Sequence, residues 1–261
     1  NDIFIDSLTE NNLTPLMISA QTNSTYTLNF LLDHGAEINK VNTENALIMA
    51  IKNNCINTGE ILINRGIDIN YQDSSKWTAL NFAIRMKSFD FVYILLKNGA
   101  DVSLDDRYGM IPLHWASKFG LCDIVRILID YKSDINKRSL EGWTSLSLAA
   151  GYGSFNCTKL LIERGSDINN RDEHNITPFI FACLNGQLEI VQLLFKSGAE
   201  LNVFDDEGWN ALHWAAANER IETIEFLLSI GFDPFVKDKH GLTPYDLAKK
   251  YKSNDEDRKS V

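Results

Sequence analysis

Apolar residues recur along this chain in blocks of seven with one shape: an opener that is polar in all but one block, a large apolar residue two places on, then a small residue. The blocks are TPLMISA (14–20), NALIMAI (45–51), TALNFAI (78–84) and IPLHWAS (111–117), then TSLSLAA (144–150), TPFIFAC (177–183), NALHWAA (210–216) and TPYDLAK (243–249). Their third residues are Leu16, Leu47, Leu80, Leu113, Leu146, Phe179, Leu212 and Tyr245, and after a first step of 31 every step is 33. A glycine keeps the same time at Gly35, Gly66, Gly99, Gly165, Gly198 and Gly231.

Each block predicts a helix. Thr or Asn opens it as N-cap, and Pro, where present, suits the first turn. The Leu and the following Ala are one helical turn apart on one face, and the small Ala lets a neighbour pack close. A second amphipathic stretch follows, as in DFVYILLKNG (90–99), where Val92, Leu95 and Leu96 keep helical spacing and Gly99 closes the helix in the left-handed conformation. Stretches such as ADVSLDDRYG (100–109) carry the Asp and Gly of a hairpin turn. The unit is helix, helix, finger; alone it cannot bury its apolar faces, and stacked it can.

This repeat resembles the ankyrin-repeat family, whose signature is T-P-L-H-x-A-A followed by a Gly-Ala-Asp-x-Asn turn. IPLHWAS and NALHWAA are the closest helix matches; NGADVS (98–103), RGSDIN (164–169) and HGAEIN (34–39) are close turn matches. The resemblance implies an all-α repeat solenoid of stacked helix-turn-helix units with β-hairpin fingers. It would form one domain over residues 1–251, about seven full repeats and a C-terminal half repeat, with 252–261 a charged tail or the start of a truncated helix. The departures carry their own expectations. Lys132 fills the glycine slot and should take positive φ. The finger between Gly35 and Leu47 is two residues short, predicting a stunted hairpin. NDIFIDSLTENN reads as the finger of a preceding unit, and the chain, without an initial Met, reads as a piece of something longer.

Composition narrows the classes. A content of 44% hydrophobic and 23% charged residues is that of a globular chain. A net charge of -10 disfavours nucleic acid, which needs clustered cations, and weakly favours a basic partner. Cys55, Cys122, Cys157 and Cys183 stand far apart, neither a zinc site nor a disulfide framework, which points to a reducing intracellular compartment, cytoplasm before nucleus. No apolar run approaches the roughly 20 residues of a membrane helix.

Candidate chemistry is sparse. His114 and His213 have no recurring nucleophile or carboxylate at triad-like positions; the resemblance places such a His at a helix start, bonded to a neighbouring loop. Trp115 and Trp214 share a slot with Leu148 and Phe181 and read as helix packing. Asp73, Asp106, Asp172, Asp205 and Asp238 recur in register as turn-stabilising residues. The turn asparagines Asn39, Asn70, Asn136, Asn169 and Asn202 should cap their hairpins. No phosphate loop, zinc motif or nucleophile elbow is present, so no catalysis and no cofactor are expected.

One row suggests a surface. Before the Thr/Asn slot stand Trp77, Met110, Trp143, Ile176, Trp209 and Leu242, a position that in the family faces the concave groove at the finger base. At the end of the first helix, also groove-facing in the family, stand Met86, Phe119, Tyr152 and Leu184, and Tyr108 lies on a finger. The expected function is protein or peptide binding in that groove through Trp77, Met86, Tyr108, Met110, Phe119, Trp143, Tyr152, Ile176, Leu184 and Trp209, with no membrane insertion. Against it stands the alternative that each Trp only shields its own hairpin. A rival class is the recognition segment of a larger enzyme or membrane protein, such as a palmitoyltransferase, a channel or a ubiquitin-ligase adaptor. A small-ligand site is disfavoured, Lys118 with Phe119 and Tyr152 being its one basic aromatic candidate.

Overall fold

A computed structural model describes residues 5–40 and 44–259, with side chains to residue 251. The shortened finger before Leu47 includes residues 41–43, and the N-terminal segment begins with 1–4; those positions lie outside the described residues. In chain order the helices are α1 (Pro15–Gln21), α2 (Thr25–Asp33), α3 (Ala46–Lys52), α4 (Ile56–Asn64), α5 (Ala79–Arg85), α6 (Phe89–Lys97), α7 (Pro112–Lys118) and α8 (Cys122–Asp130). They continue as α9 (Ser145–Gly151), α10 (Phe155–Glu163), α11 (Pro178–Leu184), α12 (Leu188–Lys196), α13 (Ala211–Ala217), α14 (Ile221–Ser229) and α15 (Pro244–Lys259). Helices of seven and nine residues thus alternate up to the last. Residues 252–259, expected as a tail or a helix start, continue α15.

Contacts divide the chain into two compact units, residues 1–116 with 127–133, and 117–126 with 134–261. In the first, α1 packs on α3 and α3 on α5, while α2, α4 and α6 stack beside them. In the second, α9, α11, α13 and α15 form one stack and α10, α12 and α14 the other. Within both units the repeated Leu or Phe is buried, and so is the small residue one turn later, Ala50 and Ala83 in one and Ala149, Ala182 and Ala215 in the other. These residues set the distance at which one seven-residue helix can approach the next.

Capping explains where the helices start. Thr14, Asn45, Thr78, Thr144, Thr177 and Asn210 each accept a backbone N–H from the first turn through the side chain. The nine-residue helices of either unit lack this bond where their caps are described. A left-handed residue precedes each instead, such as Asn23, Asn54 and Lys87, then Gly153, Gly186 and Glu219. That second left-handed slot per repeat was not expected. It ends the short helix and turns the chain back at once.

The fingers differ from expectation: among the described residues there is no strand. Each is a turn closed by two backbone bonds, as from Asp73 N to Trp77 O at 3.0 Å with Lys76 N to Asp73 O at 2.8 Å, and from Asp205 N to Trp209 O at 2.9 Å with Gly208 N to Asp205 O at 3.0 Å. Three pairs of successive fingers share a single backbone bond, Arg107 N to Ser75 O in the first unit, and Glu173 N to Glu141 O and Lys239 N to Glu207 O in the second. One bond per pair is too few for a ladder. The turn asparagines also act differently. Asn39 and Asn70 accept the backbone N–H of Asp68 and Asp101, each at 2.8 Å, and Asn136 and Asn169 accept those of Asp167 and Glu200, so each side chain ties its repeat to the next.

Lys132 has φ 69°, in the slot where glycines range from 83° to 98°. An L residue there is strained by about 1 kcal/mol, partly offset by the extra unfolded-chain freedom glycine would bring. Lys132→Gly should raise stability by roughly 0.5 kcal/mol, read as a higher denaturant midpoint at constant slope.

Candidate functional site

The finger base is built on a carboxylate. Asp106 Oδ1 accepts the N–H groups of Tyr108 and Met110 at 2.8 and 3.0 Å, and Asp73, Asp172, Asp205 and Asp238 repeat the pattern. At Ser139 a hydroxyl replaces the carboxylate and accepts only from Trp143 N, at 3.1 Å. The second carboxylate oxygen reaches an indole: Trp115 Nε1 donates to Asp106 at 2.9 Å and Trp214 Nε1 to Asp205 at 2.8 Å. Trp115 and Trp214 are therefore clasps between helix and finger as well as packing residues. Where Phe181 fills that slot, Asp172 has no such donor, and burial pushes its carboxyl above the usual range despite the amides of Ile176 and His174. At Asp238 burial pulls the same way, but the amides of Leu242 and His240 and the Trp209 indole outweigh it and hold the carboxyl low.

In the first unit Trp77 lies edge-on to Phe82 and Trp115, with ring centroids 5.3 and 5.0 Å apart. The Arg85 guanidinium covers Trp77 at 5.6 Å and the Lys52 ammonium covers Phe82 at 4.7 Å. Tyr108 is 47% exposed, its ring under Arg107 at 4.9 Å. Met86, at the C-cap of α5, is also 47% exposed.

In the second unit Trp143 tilts against Phe181 at 4.6 Å, and its indole donates to Glu141. Tyr152, at the C-cap of α9 and 52% exposed, meets Phe181 nearly perpendicular at 6.0 Å, and the Lys118 ammonium lies 4.9 Å from the Tyr152 ring. Phe181 thus joins two of the expected anchors, a link that spacing alone did not reveal. Gly151 makes room for it: a Cβ there would lie 2.1 Å from the Phe181 ring. Trp209 donates to Asp238 at 2.9 Å, packs on Trp214 at 4.7 Å and meets Tyr251 of the last helix edge-on at 6.2 Å. Phe119 and Leu184 are half-buried.

Two expected surface residues are not on the surface. Met110 is 9% and Ile176 7% exposed, and Ile176 belongs to the core of the second unit. The row holds two kinds of side chain. A tryptophan is too large to tuck under the finger, and Trp143 and Trp209 keep their indole N–H on a carboxylate, whereas Met110 and Ile176 carry no polar donor and fold inward.

His114 and His213 are fully buried at helix starts, with Nδ1 facing the backbone N–H of Ile111 and Asn210. Burial pulls the His213 imidazole below its ordinary value, against the opposite pull of the Leu242 and Val236 backbone and of Asp238 and Asp205. Cys122 and Cys157, far apart in sequence, interact; burial first and Cys122 second push the Cys157 thiol up to about 12. That is an inert thiol. Among the described residues no group of His, Cys, Asp and Glu is placed to hold a metal ion, and no helix is long and apolar enough to cross a membrane.

Stacked helix pairs with carboxylate-tied fingers define a helical-repeat protein. A family model for ankyrin repeats matches residues 2–73, 70–139, 104–172 and 146–238, and the chain belongs to the ankyrin-repeat family. Ankyrin repeats generally mediate protein–protein interaction and are typically non-catalytic modules. No curated protein matches the chain.

Gly151→Ala should push Phe181 aside and cost about 1–3 kcal/mol in denaturant unfolding, by overpacking. A second expectation concerns pH. A depressed His213 favours the neutral form in the fold, so its contribution is complete above the unfolded value of 6.5 and is lost as pH falls through the folded value. The thermal midpoint should drop as pH is lowered from about 7 to 5, and His213→Gln should flatten part of that slope.

Proposed function

We propose that the chain is a recognition module that receives a protein or peptide segment on the face formed by the finger bases and the ends of the seven-residue helices. The observation that carries this reading is the Trp143–Phe181–Tyr152 group, in which an exposed tyrosine is held from behind by a ring that is itself wedged against Gly151. Exposed aromatics also stud the nine-residue helices, as at Tyr26 and Tyr93. Trp77 and Tyr152 differ in being held by both ring and cation contacts, and a side chain already immobilised loses little entropy when a partner covers it.

In the first unit Trp77, Tyr108 and Met86 play the corresponding part, and in the second Trp209 adds a further anchor. Phe119 and Leu184 contribute their exposed edges. Met110 and Ile176 support the surface from below. The charged finger residues around these anchors supply selectivity more than affinity.

Tyr152→Ala should abolish or strongly weaken capture of partners while moving the thermal midpoint by less than about 2 °C, because its ring is half in solvent. Tyr93→Ala, on the outer helix layer, should leave capture intact. If Tyr152→Ala retains the wild-type partners, or if Tyr93→Ala loses them, the assignment of the face is wrong.

A further inference from the structure

We infer that a depression of about 290 Å³ in the first unit, between the fingers at 73–77 and 106–110 and the ends of α3 and α5, binds the phosphoryl group of a phosphorylated side chain on a partner peptide. The inference rests on the recognition reading above and names the chemistry of one contact within it.

The charge of the site runs against that of the chain. In a protein of net charge -10, three cations (Lys52, Arg85 and Arg107) face this depression, with Glu44 and Asp73 as its carboxylates. Both carboxylates are already engaged. Glu44 is paired with Lys52, and Asp73 Oδ1 accepts the amides of Ser75 and Trp77. Arg85 and Arg107 have no ion-pair partner among the described residues. Three cations against two carboxylates leave the site one net positive charge, with both guanidinium groups outside any ion pair.

Their geometry is set in advance. Arg85 lies over the Trp77 ring at 5.6 Å and Arg107 over the Tyr108 ring at 4.9 Å, with one Arg107 N–H spent on Tyr108 Oη at 2.8 Å. A guanidinium held on an aromatic ring keeps N–H groups at its edge for an acceptor. The backbone bond from Arg107 N to Ser75 O fixes the finger that carries it against its neighbour. A phosphoryl group, with a charge of about -1.5 to -2 and three acceptor oxygens, satisfies two such forks, whereas a carboxylate matches one. The depression opens to solvent, which suits a group at the tip of a side chain.

The test uses the whole chain and indole N–H signals in nitrogen-15 NMR spectra, with the Trp77 signal assigned by Trp77→Phe. N-acetyl-O-phosphoserine and N-acetylglutamate are the probes, titrated at constant ionic strength. The phosphorylated probe should shift the Trp77 signal saturably and leave Trp143 and Trp209 in place. Arg85→Gln combined with Arg107→Gln should weaken that response by roughly tenfold or more, as loss of two charge-assisted contacts requires. Both side chains are exposed, so the thermal midpoint should stay unchanged. An absent shift, an equal response to N-acetylglutamate, or a response that survives the double substitution overturns the site. Tyr152-dependent capture is measured alongside: a silent Trp77 with that capture intact overturns this site alone, and capture indifferent to Tyr152 overturns the underlying reading.

Discussion

The packing of one seven-residue helix on the next, a large apolar residue against a small one, is the contact on which everything else in each unit depends. Ala50, Ala83, Ala149, Ala182 and Ala215 lose essentially all their surface in it, because nothing larger would allow the neighbouring backbone so near. A single repeat has no partner for that face and no core of its own. Stability is therefore passed from neighbour to neighbour, and a defect in one repeat is felt by the two that flank it. The Asn side chains that accept the next repeat's backbone N–H add a polar lock to the same junctions.

Once the helices are stacked at this spacing, the fingers follow with little further structure. A single aspartate does the work of a hairpin by taking two amides on one oxygen and, in several repeats, an indole on the other. The carboxylate is thus spent within the fold, which is why acidic residues recurring in register signify turn chemistry here and not acid–base catalysis. The tryptophans attached to these turns are held on their inner edge and wet on the outer one. A surface of that kind is stiff without being buried, the state in which aromatic groups serve recognition best.

Much of this was legible in the sequence because it depends on spacing. The N-caps, the leucine seam, the glycine slot and the positive φ of Lys132 all follow from a period of 33 and elementary residue preferences. Other features depend on which repeat lies next to which, and register alone hides them. Met110 and Trp143 occupy one slot in alignment, yet the first is covered and the second half-exposed, since the difference lies in side-chain size and polarity. Phe181 reads as a helix residue until Gly151 is seen to admit its ring. Lys52, Phe82 and Arg107 come from three successive repeats, so no local motif could have joined them. The absence of strands among the described residues had no sequence signal either, because hairpin-forming residues favour the turn whether or not a ladder follows.

Ser139 stands where the later fingers of its unit have Asp172, Asp205 and Asp238, and its hydroxyl accepts one backbone N–H where a carboxylate accepts two. The finger it roots carries Leu140, which is largely in solvent, and Glu141, which reaches back to Trp143. With fewer bonds to break, that segment has the lowest local opening free energy to be expected of the fingers in its unit, and its amides would exchange with solvent ahead of theirs. Flexibility is thereby concentrated beside the Trp143–Phe181–Tyr152 group, a loose lip next to a packed seat.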